Sequence, residues 1–548
     1  MLARLPSNAQ QSVLVAAVPS QVDLGRWTND GHGRIDPVPP EVVWNGEVLQ
    51  IARWPNVGWD QVLSVDSTAG VRVKLGTDRL KAWSRASDAW VLGYWRWDWF
   101  AAFLRITGVN VTTHQLTLAG NPTYGIASGA RYAIVNLPEE LDTPGEYWID
   151  PQSRRVYVWP PSDATHADVW LTQLADPVIT IRNASDLTFR GFSIVSSRGD
   201  GVRIEGSTRV QITDGDFQSL GGRAIVVKGG SGTTLRNLLI RNTGAGGVAV
   251  DAGNRATLTP SGDVIERVRF RTFARWVRTN APAVSLTGVG TIVRECEISD
   301  GPHSGIILEG NDHLIEGNTF YRLLLETRDA GAIYMGRDWT ARGNIISGNY
   351  FFDLGGTRPQ RTDDHLQAVY LDDMAGGVSV TRNVFDHARV AVLIGGGREN
   401  HVDNNVIVGS PDALYIDARG RYWRMAAQKG VKSFESSVWQ TLTALLNNSH
   451  PGNSPYNERY PSLRQTLTDR PGEPIGNTFT NNVIVGRSEI RRNGLTQEML
   501  AENGTLRIQQ SDTAPLGPLR MQALLDSLAR RGARAPQRLP SSSLELMK

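Results

Sequence analysis

Carboxylates crowd one stretch of the sequence. Asp329 closes Leu325-Glu-Thr-Arg-Asp, Asp372 and Asp373 adjoin in Tyr370-Leu-Asp-Asp, and Glu309 and Asp417 flank them along the chain. Two carboxyl groups facing one glycosidic bond suffice for hydrolysis. One protonates the leaving oxygen; the other acts as nucleophile or as base for water. The same stretch carries Tyr334, Arg337, Asp338, Tyr370 and Arg398, and His303 and His365 stand just before apolar segments. Rings and cations of this kind can hold a sugar. They also suit elimination across a uronic acid, in which His303, His365, Arg337 or Arg398 is the base and Ca²⁺ often neutralises the sugar carboxylate. No lysine lies among the acidic segments, which ranks elimination second. A glycan-binding groove without turnover ranks third, because it has no need of several neighbouring acids. No spacing makes a metal site, so no cofactor is expected, and Ca²⁺ enters only with elimination.

Such residues need a scaffold that brings distant segments side by side, and the sequence repeats. Units begin at Gly201, Ala224, Gly247, Ala283, Gly305, Ala332, Ala368, Ala391 and Ala413, as in Gly305-Ile-Ile-Leu-Glu and Ala368-Val-Tyr-Leu-Asp. The steps between them are 23, 23, 36, 22, 27, 36, 23 and 22 residues. A coil of 22–23 residues with insertions is the signature of stacked rungs. The expected fold is all-β: a right-handed parallel β-helix over residues 176–490. Alternation across a strand turns the second and fourth residues of each unit inward. Ile307 and Glu309, Tyr334 and Gly336, Tyr370 and Asp372, Leu393 and Gly395, and Tyr415 and Asp417 then share one outer face. Glu309, Asp372 and Asp417 fall two rungs apart, ~9–10 Å, and the glycines leave gaps between them.

A second strand follows most units. Asn237, Asn318, Asn349, Asn383, Asn405 and Asn482 precede it at one slot, where stacked amides can pass hydrogen bonds from rung to rung. Cys296 occupies that slot in its own coil and reads as a buried ladder member rather than a reactive thiol.

Residues 1–175 lack the repeat and hold twelve of the sixteen tryptophans, which indicates a β-rich, sandwich- or barrel-like module. Its run Gly93-Tyr-Trp-Arg-Trp-Asp-Trp is core packing on the blander view and a sugar-stacking platform on the sharper one. Residues 421–475 interrupt the solenoid with helical patterning and could fold over the groove; residues 491–548 read as a cap or tail with an amphipathic stretch, Leu519 to Leu528. A net charge of +2 gives no electrostatic case for nucleic acid or a membrane surface, and no apolar run approaches the ~20 residues of a membrane span. Ser12-Val-Leu-Val-Ala-Ala-Val-Pro is a poor signal peptide and reads better as a buried strand.

Glu326-Thr-Arg-Asp-Ala-Gly-Ala-Ile-Tyr-Met-Gly-Arg-Asp-Trp-Thr, Tyr370-Leu-Asp-Asp, Ile394-Gly-Gly-Gly-Arg-Glu-Asn and Ile416-Asp-Ala-Arg-Gly together resemble the bacterial β-helix glycosidases of glycoside hydrolase family 141. Ala52-Arg-Trp-Pro-Asn and Tyr147-Trp-Ile-Asp-Pro extend the resemblance over most of residues 40–490. It implies hydrolysis of a fucosyl-, xylosyl- or pectin-type glycan, a secreted or periplasmic location, and a catalytic pair of aspartates. The matching positions are Asp329 and either Asp372 or Asp373, alternation favouring Asp372. On this expectation Asp329 is the general acid and Asp372 the nucleophile or base. Arg337 keeps Asp373 ionised, and Tyr334 and Tyr370 position the sugar. Glu309, Asp338, Arg398, Asp417 and His303 complete the expected binding set.

Overall fold

Each of the nine units becomes one strand of a single parallel sheet in the computed structural model. That sheet gains a strand at either end, Ile179–Arg182 and Glu489–Asn493, to make eleven. Two further sheets of eleven parallel strands complete the three faces of a right-handed β-helix. The structure describes residues 2–25, 27, 38–68, 70–86, 89–356, 365–509, 515–530, 533, 536–544 and 546.

The periodicity works because each inward side chain lands on its counterpart one coil away. Ile306, Ile333, Val369, Val392 and Leu414 pair in register and are fully buried. Phe320, Phe351 and Phe385 stack at 4.7 and 5.2 Å between ring centroids. Burying each such side chain contributes roughly 1.5–3 kcal/mol, repeated coil after coil.

Between the second and third sheets every coil turns in two residues, of which the first has positive φ and the second, where it is not glycine, turns its side chain inward. Asn318, Asn349, Asn383, Asn405 and Asn482 fill the inward place. Each amide oxygen accepts the backbone N–H of the preceding coil's slot residue at 2.9–3.0 Å. Cys296 heads this ladder: its N–H donates to Asn318 and its thiol lies wholly buried against backbone carbonyls. Burial pushes that thiol up to about 12, so thiol reagents are expected to leave native Cys296 unmodified and to label it only on unfolding. Rapid labelling of the native protein would contradict this placement.

Asn237 is a correction. It occupies the positive-φ place (φ 54°), and Leu238 points inward in its coil. Asparagine is chosen there because it tolerates left-handed backbone, and its amide bonds Asp214 instead. A second polar stack, not expected from the sequence, follows the first sheet. In it Thr291 N–H donates to His313, His313 N–H to Asn344, Val378 N–H to Asn400 and Asn400 N–H to Asn477.

The N-terminal module contains a closed six-stranded barrel, because Arg131–Val135 pairs with both Trp90–Tyr94 and Asp60–Asp66. The strand Trp90–Tyr94 serves two cores. Val91 points into the barrel, whereas Trp90, Leu92 and Tyr94 pack against the solenoid. Polar contacts fasten the join: Glu326 binds Arg278 and accepts from the Tyr94 hydroxyl, and Glu41 accepts from Arg275 and the Trp276 indole. Leu14–Ala17 is indeed a strand, but it lies exposed at a sheet edge rather than buried.

At the other end the solenoid outlasts the expected boundary, its last strand being Leu506–Ile508. The helix Gly517–Arg530 lies along the third sheet rather than capping the stack: Met521, Leu525 and Leu528 cover Val384, Val406 and Val483. Buried Asp386 accepts the N–H groups of Leu516 and Gly517 and so fixes where this helix begins.

Candidate active site

On the outer face of the first sheet, Ile307, Tyr334, Tyr370, Leu393 and Tyr415 form one row in register, as alternation requires. Only Tyr334 and Tyr415 keep part of their surface open, however. Tyr370 and Leu393 are each 3% exposed, because the barrel closes over one side and the helical insertion over the other. The insertion consists of Arg419–Gln428, Phe434–Asn448 and short turns returning to Asn477. Trp423, Trp439, Leu442, Tyr460 and Leu463 pack it on Trp339 and Met374. What remains open is a cleft with two lobes that share Trp99, Asp329, Tyr370 and Arg419.

The insertion-side lobe, about 380 Å³, holds Asp329, Asp372, Asp373, Glu309, Tyr334, Tyr370, Arg337 and His303. Asp372 Oδ2 accepts the Tyr334 hydroxyl at 3.2 Å, and Oδ1 accepts Arg419 Nη1 at 2.6 Å. Asp373 accepts Arg337 at 2.6 Å and Arg419 at 3.3 Å, so the expected Arg337–Asp373 contact is present. Asp329 accepts the Tyr370 hydroxyl at 2.9 Å. The two tyrosine rings meet edge to face at 5.5 Å. Ala330 pairs with Leu366 and Met335 with Leu371. Asp329 therefore stands just before one end of the paired strands and Asp372 just past the other, on opposite sides of the tyrosines.

Burial, with Asp373 next in order, pushes the Asp372 carboxyl up to about 7, against the pull of Arg419. Arg419 is likewise held above its ordinary value: burial lowers it, but its hydrogen bond to Asp417 and the charges of Asp372 and Asp417 outweigh that. It is the main residue missing from the expected set. It begins the insertion, two places after Asp417, whose carboxylate grips it through Nε and Nη2 at 2.8–3.0 Å. Gly395 makes room for it. A Cβ there would stand 2.7 Å from the guanidinium carbon, so the gap left by that glycine is filled by Arg419 rather than by substrate.

Two expected contacts lie elsewhere. Arg398 turns away to the carbonyls of Thr466 and Asp469, at 3.4 and 3.2 Å, tying down the end of the insertion. Asp338 pairs with Arg255 at 2.9 Å and caps Thr340. Neither borders the cleft. Asp417 reaches it only through Arg419, and His303 accepts the Asn280 N–H at 3.1 Å from within the wall. Arg398→Ala is accordingly expected to loosen the insertion, read as faster proteolysis around Gly430, with KM little changed.

The tryptophan run lies past the strand Trp90–Tyr94, so its alternate places need not share a face. Trp95 is fully buried in the barrel, whereas Trp97, 46% exposed, and Trp99 border the barrel-side lobe. That lobe, about 620 Å³, also takes in Arg96, Arg328, His365 and Tyr415.

Residues 177–261 and 282–422 match the family model for the right-handed β-helix region. No curated protein sequence matches the chain. Among solved structures the fold is similar to one titled "Glycoside hydrolase", at 15% identity and TM-score 0.55, covering 70% of this chain and 78% of that one. It is also similar to XylC in complex with xylose, at 9% identity and TM-score 0.46, covering 90% and 72%. A third is PfbA, a surface adhesin of Streptococcus pneumoniae, at 14% identity and TM-score 0.35, covering 44% and 71%. At these identities the likeness is one of fold.

Proposed function

We propose that the chain is a glycoside hydrolase working through Asp372 and Asp329. What supports this is a pair of aspartates bordering one cleft, Asp329 and Asp372, the second buried beside Asp373 so that its carboxyl is pushed up to about 7. Hydrolysis needs one carboxyl protonated and one ionised at the same pH, and environments that differ provide that. Asp372 is then the general acid and Asp329 the nucleophile or the base for water, the reverse of the roles expected from the sequence. The proton leaves Asp372 for the glycosidic oxygen, and Arg419, already bonded to Oδ1, stabilises the carboxylate formed. Asp329 either attacks the anomeric carbon or takes a proton from the attacking water. Trp97, Trp99 and the part-exposed Tyr334 and Tyr415 offer faces on which pyranose rings can lie. The fucosyl, xylosyl or pectic identity of the sugar belongs to the same proposal and rests on the sequence resemblance.

The first test is incubation with fucosylated, xylan, pectic and uronate-rich glycans, following reducing ends and ultraviolet absorbance together. New reducing ends without absorbance support hydrolysis. Absorbance rising with them reports a new C=C bond and moves the chemistry to elimination. Binding without turnover across the panel favours a glycan-binding protein.

A further inference from the structure

The two lobes differ in sign. The insertion-side lobe presents Asp372, Asp373, Glu309 and Glu435 in addition to the shared Asp329, against Arg337 and the shared Arg419. The barrel-side lobe sets Arg96, Arg131, Arg328 and Arg419 against only Asp98 and Asp329. Asp98 serves two of those cations, lying 2.8 Å from Arg131 and 3.5 Å from Arg328. Arg96 is exposed, makes no ion pair among the described residues, and lies over the ring of Trp97 at 5.5 Å. A guanidinium resting on an indole at the mouth of a cavity is placed to bind an anion by two parallel hydrogen bonds while the ring carries the attached sugar. A neutral glycan gives such a cation nothing to pair with.

We infer that the barrel-side lobe binds an anionic sugar unit, a uronate or a sulfate ester, and that the preferred substrate is an acidic glycan. Its charged residue lies on the Asp329 side of the cleaved bond and its less charged residues beside Asp372, where further anions meet the acidic lobe. This rests on reading the cleft as a glycan site and is independent of how the bond is broken.

Calorimetric titration of the full chain with trigalacturonate, with its carboxyl-reduced counterpart and with a sulfated galactan trisaccharide tests it. One charge-assisted pair corresponds to about ten- to hundredfold in affinity. One of the two anionic probes is expected to bind at least about tenfold tighter than the reduced one, and which of them does so names the anion. That margin is expected to shrink as salt rises and to fall several-fold in Arg96→Ala, with the smaller change falling on the reduced probe. Equal affinity for charged and reduced probes, or a margin untouched by Arg96→Ala, overturns the inference. Acidic preference without cleavage of any glycan sinks the hydrolase proposal alone; cleavage of neutral glycans without acidic preference sinks this one alone.

Discussion

Asp372→Asn is expected to lose about 10²–10⁴-fold in kcat on a natural glycan, the range set by removing a general acid. It is also expected to keep much of its rate on an aryl glycoside whose leaving group needs no proton. Asp329→Asn is expected to lose both, because nothing replaces the nucleophile or base. The pair therefore separates the two roles, and a reversed pattern would restore the assignment first drawn from the sequence. The pH profile follows. With Asp372 pushed up to about 7, kcat/KM falls as pH rises through that value, and the limb is absent from the variant. Stability moves in the same sense. The folded chain keeps this proton up to about 7, whereas an unfolded aspartate releases it near ~4. The folded state thus binds the extra proton between those values, and stability falls as pH rises across them. Wild-type protein is expected to melt lower at pH 8 than at pH 5, and Asp372→Asn to show less of that difference.

Arg419→Met is expected to be the most damaging single change at the cleft. The substitution keeps a long side chain over Gly395 but leaves Asp372, Asp373 and Asp417 buried together with Arg337 as the cation on Asp373. Breaking a buried pair by removing one partner costs about 3–5 kcal/mol, and here one guanidinium serves three carboxylates. Melting temperature is expected to drop by several degrees and turnover to vanish, with part of the stability recovered at low pH as the orphaned carboxyls take up protons. Stability and turnover close to wild type at pH 7.5 would show that the carboxylates are satisfied some other way.

The solenoid was legible because its rule is local. A rung must turn into a crowded corner, so it starts with Gly or Ala, and its inward places must be apolar; both constraints write themselves into consecutive residues. The acids on the outer row followed from the same alternation. Asn237 misled because two neighbouring turn places both favour asparagine, one for its amide and one for its tolerance of positive φ. The second polar stack escaped because its places are filled by several residue types: Thr291 takes part through its backbone N–H alone, His313 accepts through its ring, and Asn344 and Asn400 accept through their amides. Arg419 escaped for a different reason. It lies past the end of the repeat, in a helix whose path nothing in the periodicity dictates, and only its fold back over Gly395 brings it to Asp372. The same applies to Trp97 and Trp99, which approach Asp329 from a separate module. Within the repeat, spacing speaks; across modules, it is silent.

The turn between the second and third sheets has the same two-residue length in all eleven coils, whereas every lengthening of the coil falls at the two ends of the first sheet. The stack therefore has an invariant spine and a free margin. An extra residue in the spine would slip a strand by one place and throw its apolar side chains outward, so change there is all but closed to such a chain. At the margin, loops of any length can be added, lost or exchanged without disturbing the rungs beneath, and that margin borders the cleft. Descendants of one such scaffold can diverge in what they accept while inheriting the same rack, which makes this architecture slow to change in form and quick to change in specificity.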